Sequence, residues 1–393
     1  MGADTYTNMG AQPFIRTIPP VASPSNLLVN LAFLIEKPTG LMTYAANIVP
    51  YLGNDALDNK SPDQIVFKPT LLTHTPVPKF DCHRVAPGMN ADGGSKGHLR
   101  RLWWTQTQVP HLYRQCEAAL YFSPIPECTL YSPVRSVVTV HDLIPLRFGP
   151  PRSPLTLYQR YYLPAVLRQA THIISNSEAT ASDVVDFFGI PARNITPTPL
   201  AYDAENFRFL DLETQPYFVY LGRCDPYKNV GRLIQAFAQV AIAHPDLHLK
   251  IAGSHDARYT PLLQQQAAEL GVSDRVQFLD YVPYEELPIV LGQAIALVFP
   301  SLWEGFGLPV LEAMACGTPV ITSNRSSLPE VAGDAALLVN PEEVGAIAHA
   351  MTRVLNEPTL RTELQQKGLA RAQHFSWAKT GQATVEVLQQ ALP

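Results

Sequence analysis

Two glutamates follow an apolar run in the last third of the chain, within the glycine-rich segment FPSLWEGFGLPVLE. Glu304 and Glu312 are separated by seven residues. A buried strand is expected to end at Pro300 and a helix to open near Leu308, because Pro309 suits the first helical turn. Free backbone N–H groups at such a helix start can bind anionic oxygens. Carboxylates that can bind hydroxyl groups beside an anion site predict a nucleotide-sugar pocket.

Two cations occupy the corresponding place after an earlier apolar run. Arg223 and Lys228 follow a strand expected to end at Gly222, before a helix from about Val230. Since the carboxyl ends of parallel strands share one sheet edge, both cations should lie at the same edge as Glu304. They could neutralise a diphosphate leaving group without a metal, because arginine binds phosphate bidentately and lysine acts as a point charge. Either segment alone could be an ordinary surface loop, whereas the two together favour the site.

The first half of the chain offers weaker candidates. His141 and Asp142 directly follow the apolar strand Ser136–Val140, at what would be a functional sheet edge. A lone histidine in this position is more often structural. Gly40 follows the first apolar run and would let the backbone approach a ligand closely where a helix begins. Both candidates would face the second half of the chain across a cleft.

Several motifs are missing from the sequence, and their absence narrows the function. No G-x-G-x-x-G follows a strand and no GKS/T loop occurs, which disfavours dinucleotide dehydrogenases and P-loop enzymes. No D-x-D occurs, and the nearest sequences, Asp203-Ala-Glu205 and Asp211-Leu-Glu213, are expected to be solvated in a linker. Neither a metal ion nor another cofactor is therefore expected. The net charge of −5 argues against nucleic-acid binding.

The cysteine content and the length of the apolar runs indicate the cellular compartment. The five cysteines are scattered and form no C-x-x-C pair, which favours a reducing compartment. Apolar runs stay below the ~18–20 residues of a membrane span, and the N-terminus has no signal pattern. We therefore expect a cytoplasmic protein, with residues 1–25 as a flexible extension. The segment Arg100–Trp104 could touch membrane headgroups, or could equally be a surface loop with buried tryptophans.

Short apolar runs alternate with amphipathic stretches, a pattern typical of parallel sheets covered by helices on both sides. The expected strands are Leu27–Ile35, Ala119–Ser123, Ser136–Val140, Thr171–Ser175, Ile195–Leu200, Tyr217–Leu221, Leu247–Ala252, Val276–Leu279, Ala294–Phe299, Pro319–Thr322 and Ala335–Val339. The expected helices are Val230–His244, Thr260–Leu270, Tyr284–Leu291, Val310–Ala315 and Glu342–Asn356. The series restarts near residue 217 after the polar linker Tyr202–Pro216, and the 393 residues exceed what one core usually serves. Two α/β domains are predicted.

These motifs together resemble the retaining glycosyltransferases of family 4. Six segments carry the resemblance: Glu304–Glu312, Gly317-Thr-Pro-Val-Ile, Ser327-Leu-Pro-Glu330, Gly333-Asp-Ala-Ala336, Arg223–Lys228 and Phe375-Ser-Trp377. It is strong over about residues 215–378 and weaker over 27–200. The resemblance implies the α/β GT-B fold, in which two Rossmann-like domains with parallel sheets face a central cleft. It implies an acceptor-side domain at 26–205, a nucleotide-sugar domain at 206–376, and a final helix (377–393) that crosses back onto the first domain.

The resemblance also implies roles for single residues. Arg223 and Lys228 match the family's diphosphate-binding pair. Glu304 matches the glutamate that faces the donor sugar, and Glu312 matches the one that binds the nucleotide ribose. His141 matches the histidine near the reaction centre. The other positions expected to bind substrate, by backbone approach or near the base, are Gly40, Val282, Gly305, Phe306, Gly307 and Leu308.

The activity implied by the resemblance is transfer of a hexose from a nucleotide-diphosphate sugar, with retention, to a saccharide or lipid-linked acceptor. The segment from Leu102-Trp-Trp through Ser123-Pro to Val140-His-Asp-Leu-Ile-Pro-Leu is similar to bacterial polysaccharide and O-antigen glycosyltransferases, several of which transfer mannose. Two alternatives stay open. One is a nucleotide-sugar epimerase of the same fold, and the other is a catalytically silent subunit that binds sugar nucleotides.

Overall fold

The computed structural model describes residues 25–34, 40–53, 66–89 and 94–393. Over these residues the first sheet has seven parallel strands in the order β3-β2-β1-β4-β5-β6-β7. They are β1 Ser25–Asn30, β2 Phe67–Thr73, β3 Asp81–Arg84, β4 Leu120–Ser123, β5 Ser136–Val140, β6 His172–Ser175 and β7 Ile195–Pro197. The second sheet has six parallel strands in the order β10-β9-β8-β11-β12-β13. They are β8 Tyr217–Leu221, β9 His248–Ala252, β10 Val276–Phe278, β11 Ala296–Phe299, β12 Val320–Ser323 and β13 Leu337–Val339.

Helices follow the strands in each domain. Those before β8 are α1 Gly40–Leu52, α2 Gly94–Thr107, α3 Val109–Gln115, α4 Ile144–Phe148, α5 Pro154–Leu157, α6 Leu163–Gln169 and α7 Glu178–Phe188, with a π-helical turn at Tyr158–Tyr162 between α5 and α6. Those after β8 are α8 Val230–Ala241, α9 Thr260–Glu269, α10 Leu287–Gly292, α11 Leu308–Ala315, α12 Leu328–Ala332, α13 Val344–Asn356, α14 Pro358–Ala372 and α15 Trp377–Gln390. The 3₁₀ turns are Ala192–Asn194, Pro226–Lys228 and Tyr284–Glu286.

Both sheets reverse their strand order at the same place. In the first sheet the reversal lies between β1 and β4, and in the second it lies between β8 and β11. Ligands of open α/β sheets bind beyond the carboxyl ends of the strands at such a switch point. The loops after β8 and β11 carry Lys228 and Glu304. The topology therefore places these two side chains on either side of the second domain's switch point.

The last helix packs on the first domain, as the resemblance implies. Gly381 of α15 lies against the ring of Tyr51 at the end of α1, where a Cβ atom would overlap the ring. The hydroxyl of Thr380 donates to the carbonyl oxygen of Pro199 at 2.7 Å. The side chain of Arg135 donates to the carbonyl oxygen of Ala391 at 3.1 Å. The predicted GT-B architecture, with two parallel-sheet domains and a crossing helix, is confirmed.

The predicted strands all have counterparts: β5 and β8 have the predicted bounds, the bounds of the others differ, and two strands, β2 and β3, were not predicted. The run Leu27–Ile35 ends as a strand at Asn30, because the Asn30 side chain accepts the N–H of Ala32 at 3.2 Å and turns the chain. The edge strand β3 is polar and mostly exposed, so it carries no apolar signal. No bounds were predicted for the helices of the first domain, and α12 and α14 of the second were not predicted either. The expected extension 1–25 lies outside the described residues except for Ser25, which begins β1.

Candidate active site

The loop between β8 and α8 begins with a close approach of two backbones. Gly222 has a φ of +147°, and a Cβ atom at Gly253, just after β9, would overlap the Gly222 carbonyl oxygen. Glycine is needed at 253 because a side chain would push the two strand ends apart, and it is favoured at 222 by the positive φ. Arg223 follows, with its Nε 2.8 Å from a carboxylate oxygen of Asp225. Its side chain is 65% exposed, so the guanidinium stays accessible to a ligand.

Lys228 lies further along the same loop, and hydrogen bonds of the next residue, Asn229, fix the position of the loop. Asn229 adopts a left-handed conformation, with φ 64°. Its side-chain amide donates to the carbonyl oxygens of Pro300 at 3.0 Å and Pro341 at 2.6 Å. Because Pro300 directly follows β11, this buried amide ties the lysine loop to the loop that carries Glu304.

Lys228 and Glu304 form a close ion pair between the two loops. The ammonium nitrogen lies 2.8 and 2.9 Å from the two carboxylate oxygens. Only 15% of the lysine side chain and 9% of the glutamate side chain are exposed. The Glu304 backbone is held by Ser326, whose Oγ accepts its N–H at 2.8 Å, and by Ser327, whose Oγ donates to its carbonyl oxygen at 3.1 Å. A cation and a carboxylate are thus positioned side by side at the cleft.

The first domain meets the second at Gly305. A Cβ atom there would overlap the carbonyl oxygen of His141 and would lie 3.1 Å from Cβ of Asp142. The carbonyl oxygen of Gly305 accepts hydrogen bonds from Ser177 at 2.7 Å and Thr180 at 3.2 Å. Glycine at 305 therefore allows the loop after β11 to touch the first domain at this point.

His141 is held as a neutral imidazole. Its Nε2 lies 2.8 Å from the carbonyl oxygen of Pro124. Since a carbonyl oxygen only accepts, Nε2 carries the proton and Nδ1 is left as an acceptor. Burial lowers the pKa of His141 to about 4, although the Pro124 hydrogen bond acts in the opposite direction. The ring also makes an edge contact with Tyr44, at 5.0 Å between centroids.

Asp142 places a further carboxylate beside the ion pair. Burial raises the pKa of Asp142, while a hydrogen bond from the N–H of Ile144 lowers it. Charges on Glu304 and Lys228 act on it in opposite directions. The sequence drew attention to His141 and gave no role to its neighbour. The only signal for Asp142 was its position at the same strand end.

The start of α11 is shaped by two residues that the sequence selected. Gly307 precedes the helix with a φ of +116°, and a Cβ atom there would lie 2.8 Å from the Leu328 side chain. In the first turn Val310 and Leu311 donate their N–H groups to the Gly307 carbonyl oxygen, so the N–H of Leu308 is the one left over. Phe306 is only 5% exposed and packs edge-on against Phe375. The Phe306 side chain therefore belongs to the core, and only its backbone borders the site.

Glu312 lies in the second turn of α11, beside the interdomain linker. Burial raises its pKa to about 7, and the charge of Asp203 adds to that effect. Asp203 is more than a solvated linker residue, since its carboxylate accepts the N–H of Glu205 at 3.0 Å and the hydroxyl of Tyr284 at 3.4 Å. Val282 is half-buried, two residues before Tyr284. This region forms a part of the site separate from the Lys228–Glu304 pair.

Gly40 is the exposed first residue of α1. Among the described residues, no atom lies within 4 Å of the Cβ that a side chain would add. The packing of the described chain therefore does not require glycine here. The open space is compatible with the approach of a ligand, although the structure does not bring Gly40 into contact with the other candidates.

Comparison with known proteins supports the same family over most of the chain. The family model "Glycosyltransferase Family 4" matches residues 68–206, and "Glycosyl transferases group 1" matches residues 203–371. The O-antigen chain mannosyltransferase B of Escherichia coli is 33% identical over 268 residues, which are 64% of this chain and 69% of that protein. The MMP alpha-(1->4)-mannosyltransferase of Mycolicibacterium hassiacum is 32% identical over 58% of this chain and 56% of its own length.

Solved structures show the same fold at low sequence identity. Sucrose-phosphate synthase from Thermosynechococcus elongatus has a TM-score of 0.72 at 20% identity, covering 93% of this chain and 98% of that one. Anabaena HepE in complex with UDP and glucose has a TM-score of 0.69 at 18% identity, covering 93% of this chain and 100% of that one. The two family models, the relatives and the two-domain architecture agree: the chain belongs to glycosyltransferase family 4 and is a glycosyltransferase with the GT-B fold.

Proposed function

We propose that this chain is a retaining hexosyltransferase that moves mannose, with glucose as the second candidate, from a nucleoside-diphosphate sugar to a saccharide or lipid-linked acceptor of polysaccharide biosynthesis. Two relatives support mannose, since their names describe mannosyltransferases. HepE, a structural neighbour in complex with UDP and glucose, supports glucose as the second candidate.

The observation that carries the proposal is the Lys228–Glu304 pair beside the point where the two domains touch. Lys228 supplies positive charge for a departing diphosphate, and Glu304 supplies a carboxylate for sugar hydroxyls. Gly305, which directly follows Glu304, lies against the backbone of His141 in the first domain, where an acceptor would enter. An enzyme that transfers a sugar between two substrates needs this juxtaposition, whereas a binding subunit needs only the half on the second domain.

In the proposed reaction the bond between the anomeric carbon and the phosphate oxygen breaks, and the acceptor oxygen bonds to the same face of that carbon. Arg223 and Lys228 stabilise the charge that grows on the leaving diphosphate, and each well-placed donor contributes about 3–4 kcal/mol. The departing phosphate oxygen takes the acceptor proton. His141 offers Nδ1 as an acceptor for a substrate hydroxyl, because Nε2–H is bound to Pro124.

A panel of GDP-, UDP- and ADP-linked hexoses tests the donor by thermal shift, since a ligand that binds only the folded chain raises its melting temperature. Transfer with the selected donor is then followed by NMR, which reads the anomeric configuration of the product. The expected result is acceptor-dependent transfer with retention. Release of an epimerised sugar nucleotide without acceptor would favour the epimerase. Donor binding with neither transfer nor hydrolysis would favour a silent subunit.

Metal independence is part of the proposal, and it rests on the missing D-x-D motif and the two cations. We expect EDTA to leave most of the activity intact, because Arg223 and Lys228 provide the charge that a divalent ion would otherwise supply. Activity is measured with saturating donor before and after dialysis against EDTA. A complete loss that Mg²⁺ or Mn²⁺ restores would contradict this part of the proposal.

We also propose that the protein works in the cytoplasm, where nucleotide sugars would be its donors, with peripheral contact to a membrane that carries the acceptor. Among the described residues, no helix is both long and apolar enough to cross a membrane. Arg101, in the segment that the sequence suggested for membrane contact, is turned inward and pairs with Glu127 at 2.8 Å. The segment is part of α2 and not a loop, and Trp103 is 72% exposed on its outer side.

A further inference from the structure

Two neighbouring residues at the end of α4 each touch one of the two donor loops. The guanidinium of Arg147 lies 3.8 Å from the ring centroid of Trp303, which directly precedes Glu304. The ring of Phe148 lies 5.9 Å from the ring of Tyr227, which directly precedes Lys228. One short segment of the first domain therefore contacts the neighbours of both members of the Lys228–Glu304 pair.

Asp183 of α7 completes the contact with Trp303. Its carboxylate accepts the indole N–H of Trp303 at 3.0 Å and forms an ion pair with Arg147. Only 3% of the Asp183 side chain is exposed. The indole is thus held at its face by a guanidinium and at its edge by a carboxylate, and those two groups are held by each other. We call Arg147, Asp183 and Trp303 the clamp.

Helix α7 makes further contacts that fix the position of the two domains relative to each other. Ser177 and Thr180, before and within the first turn of α7, donate to the carbonyl oxygen of Gly305. The carboxylate of Glu330, from the second domain, accepts the N–H groups of Glu178 at 2.8 Å and Ala179 at 2.7 Å. The start of α7 is therefore a docking surface for the Trp303–Gly305 loop and for α12. The clamp is the part of this surface that holds a side chain next to Glu304.

We propose that the clamp is a positioning device for the transfer step: it holds the loops of Glu304 and Lys228 against the first domain in the arrangement described here, and it is not needed for nucleotide binding. The proposal rests on the proposed function. Its physical basis is that Arg223, Lys228, Glu304 and Glu312 all lie on the second domain and keep their own supports there, such as Ser326 and Asn229. The clamp does what these supports do not do: it sets the distance between those groups and the acceptor side of the cleft.

The test uses the full chain and two clamp variants. Arg147→Met keeps an unbranched, flexible side chain and removes the guanidinium with its charge. Trp303→Phe keeps an aromatic ring for Arg147 and removes the N–H that Asp183 accepts. The matched control is Arg353→Met, which breaks the exposed pair with Glu357 on α13, far in sequence from the cleft loops. For each variant kcat, KM, the Kd of GDP and of UDP, the melting temperature and the radius of gyration are measured.

We expect Arg147→Met to lower kcat at saturating donor by roughly ten- to a hundredfold, because small misplacements of reacting groups have effects of this size. The Kd of the nucleoside diphosphate that binds should stay within about twofold of the wild-type value, since its contacts are on the second domain. Trp303→Phe should lower kcat less, and Arg353→Met should leave all values unchanged. Adding donor should change the tryptophan emission of the wild type. Trp303 should be the source of that change among the four tryptophans, so Trp303→Phe should abolish it.

Arg147→Met leaves Asp183 buried without its cation, so its melting temperature could fall for that reason alone. The decisive variant is then Trp303→Phe, which keeps the Arg147–Asp183 ion pair. Unchanged kcat in both variants, or a parallel loss of nucleotide affinity and kcat in Trp303→Phe, would overturn the proposal. If the wild type transfers no sugar at all, the proposed function fails instead. The clamp is then judged by scattering alone, where Arg147→Met should be more extended than the wild type and equal radii would overturn it.

Discussion

The two domains contribute to the site in different ways. The second domain presents ionised groups on two adjacent loops, and its Lys228–Glu304 pair is complete without the first domain. The first domain presents a backbone carbonyl, an imidazole that burial keeps neutral, and the carboxyl of Asp142, whose pKa burial raises. The difference suggests that binding of the charged donor is the task of the second domain, and that the first domain places an uncharged acceptor hydroxyl. Variants that act on one domain only can break or sharpen this division.

The largest effect is expected for Lys228→Ala on the second domain. Removing a preorganised cation from the leaving group should lower kcat by about 10²–10³. The fold should persist, because Asn229 still ties the loop to Pro300. Turnover at saturating donor and the melting temperature are measured together, with Lys367→Ala, which removes a surface lysine paired with Glu363, as the control. Turnover equal to that of the wild type would remove Lys228 from the leaving-group role.

Glu304→Gln should separate donor binding from transfer within the second domain. In the structure the Lys228 ammonium is paired with the Glu304 carboxylate, so a diphosphate must displace that carboxylate to bind Lys228. Neutralising Glu304 frees Lys228, and the affinity for a nucleoside diphosphate without sugar should rise on the order of tenfold, the size of a hydrogen bond to a charged group. Transfer should fall because the sugar loses its carboxylate. Calorimetry with the diphosphate and steady-state kinetics measure the two effects, and weaker diphosphate binding would contradict the competition.

The pH dependence of stability should have opposite signs in the two domains. The pKa of His141 is lowered from 6.5 to about 4. Its contribution to the free energy of unfolding is therefore present above pH 6.5 and is lost as the pH falls towards 4. The pKa of Glu312 is raised from 4.5 to about 7, so its contribution is present below pH 4.5 and is lost as the pH rises through 7. The two groups therefore act on opposite limbs of the stability profile.

Melting temperatures of two single variants across pH 4–8 check this expectation. His141→Gln should flatten the acid limb, and Glu312→Gln should flatten the limb near neutral pH. His141→Gln should also lower transfer while nucleotide affinity is kept, because the side chain belongs to the acceptor side. A His141 variant that loses nucleotide affinity and melting temperature together would show that the histidine is structural.

The sequence predicted the second domain better than the first, for a physical reason. Strands such as β8 and β11 are buried on both faces and are followed by loops whose residue types carry the chemistry, so pattern and motif coincide. In the first domain β3 is a polar edge strand without an apolar pattern. The clamp was not predicted, because Arg147, Asp183 and Trp303 come from three segments that only the packing of two domains brings together. No local pattern distinguishes such residues from surface charges.

The smallest effect concerns the outer face of α2 on the first domain. Leu99 and Trp103 are 64% and 72% exposed, and they lie one turn apart beside the exposed Lys96 and Arg100. Aromatic and basic side chains on one helix face suit the interface of an anionic membrane. Arg101, on the inner face, is not available for it because it pairs with Glu127.

Trp103→Ser should therefore weaken binding of the full chain to phosphatidylglycerol vesicles by about fivefold, which corresponds to about 1 kcal/mol, less than the value for full burial of an apolar side chain. Ile242→Ser on the second domain, where the side chain is 83% exposed, should leave vesicle binding unchanged. Sedimentation with vesicles measures both variants, and neutral phosphatidylcholine vesicles separate charge from apolar insertion. Nucleotide affinity should be equal in all three proteins, since the donor groups lie on the other domain. Equal vesicle binding by the wild type and Trp103→Ser would show that α2 faces water, and the acceptor would then reach the cleft without help from this helix.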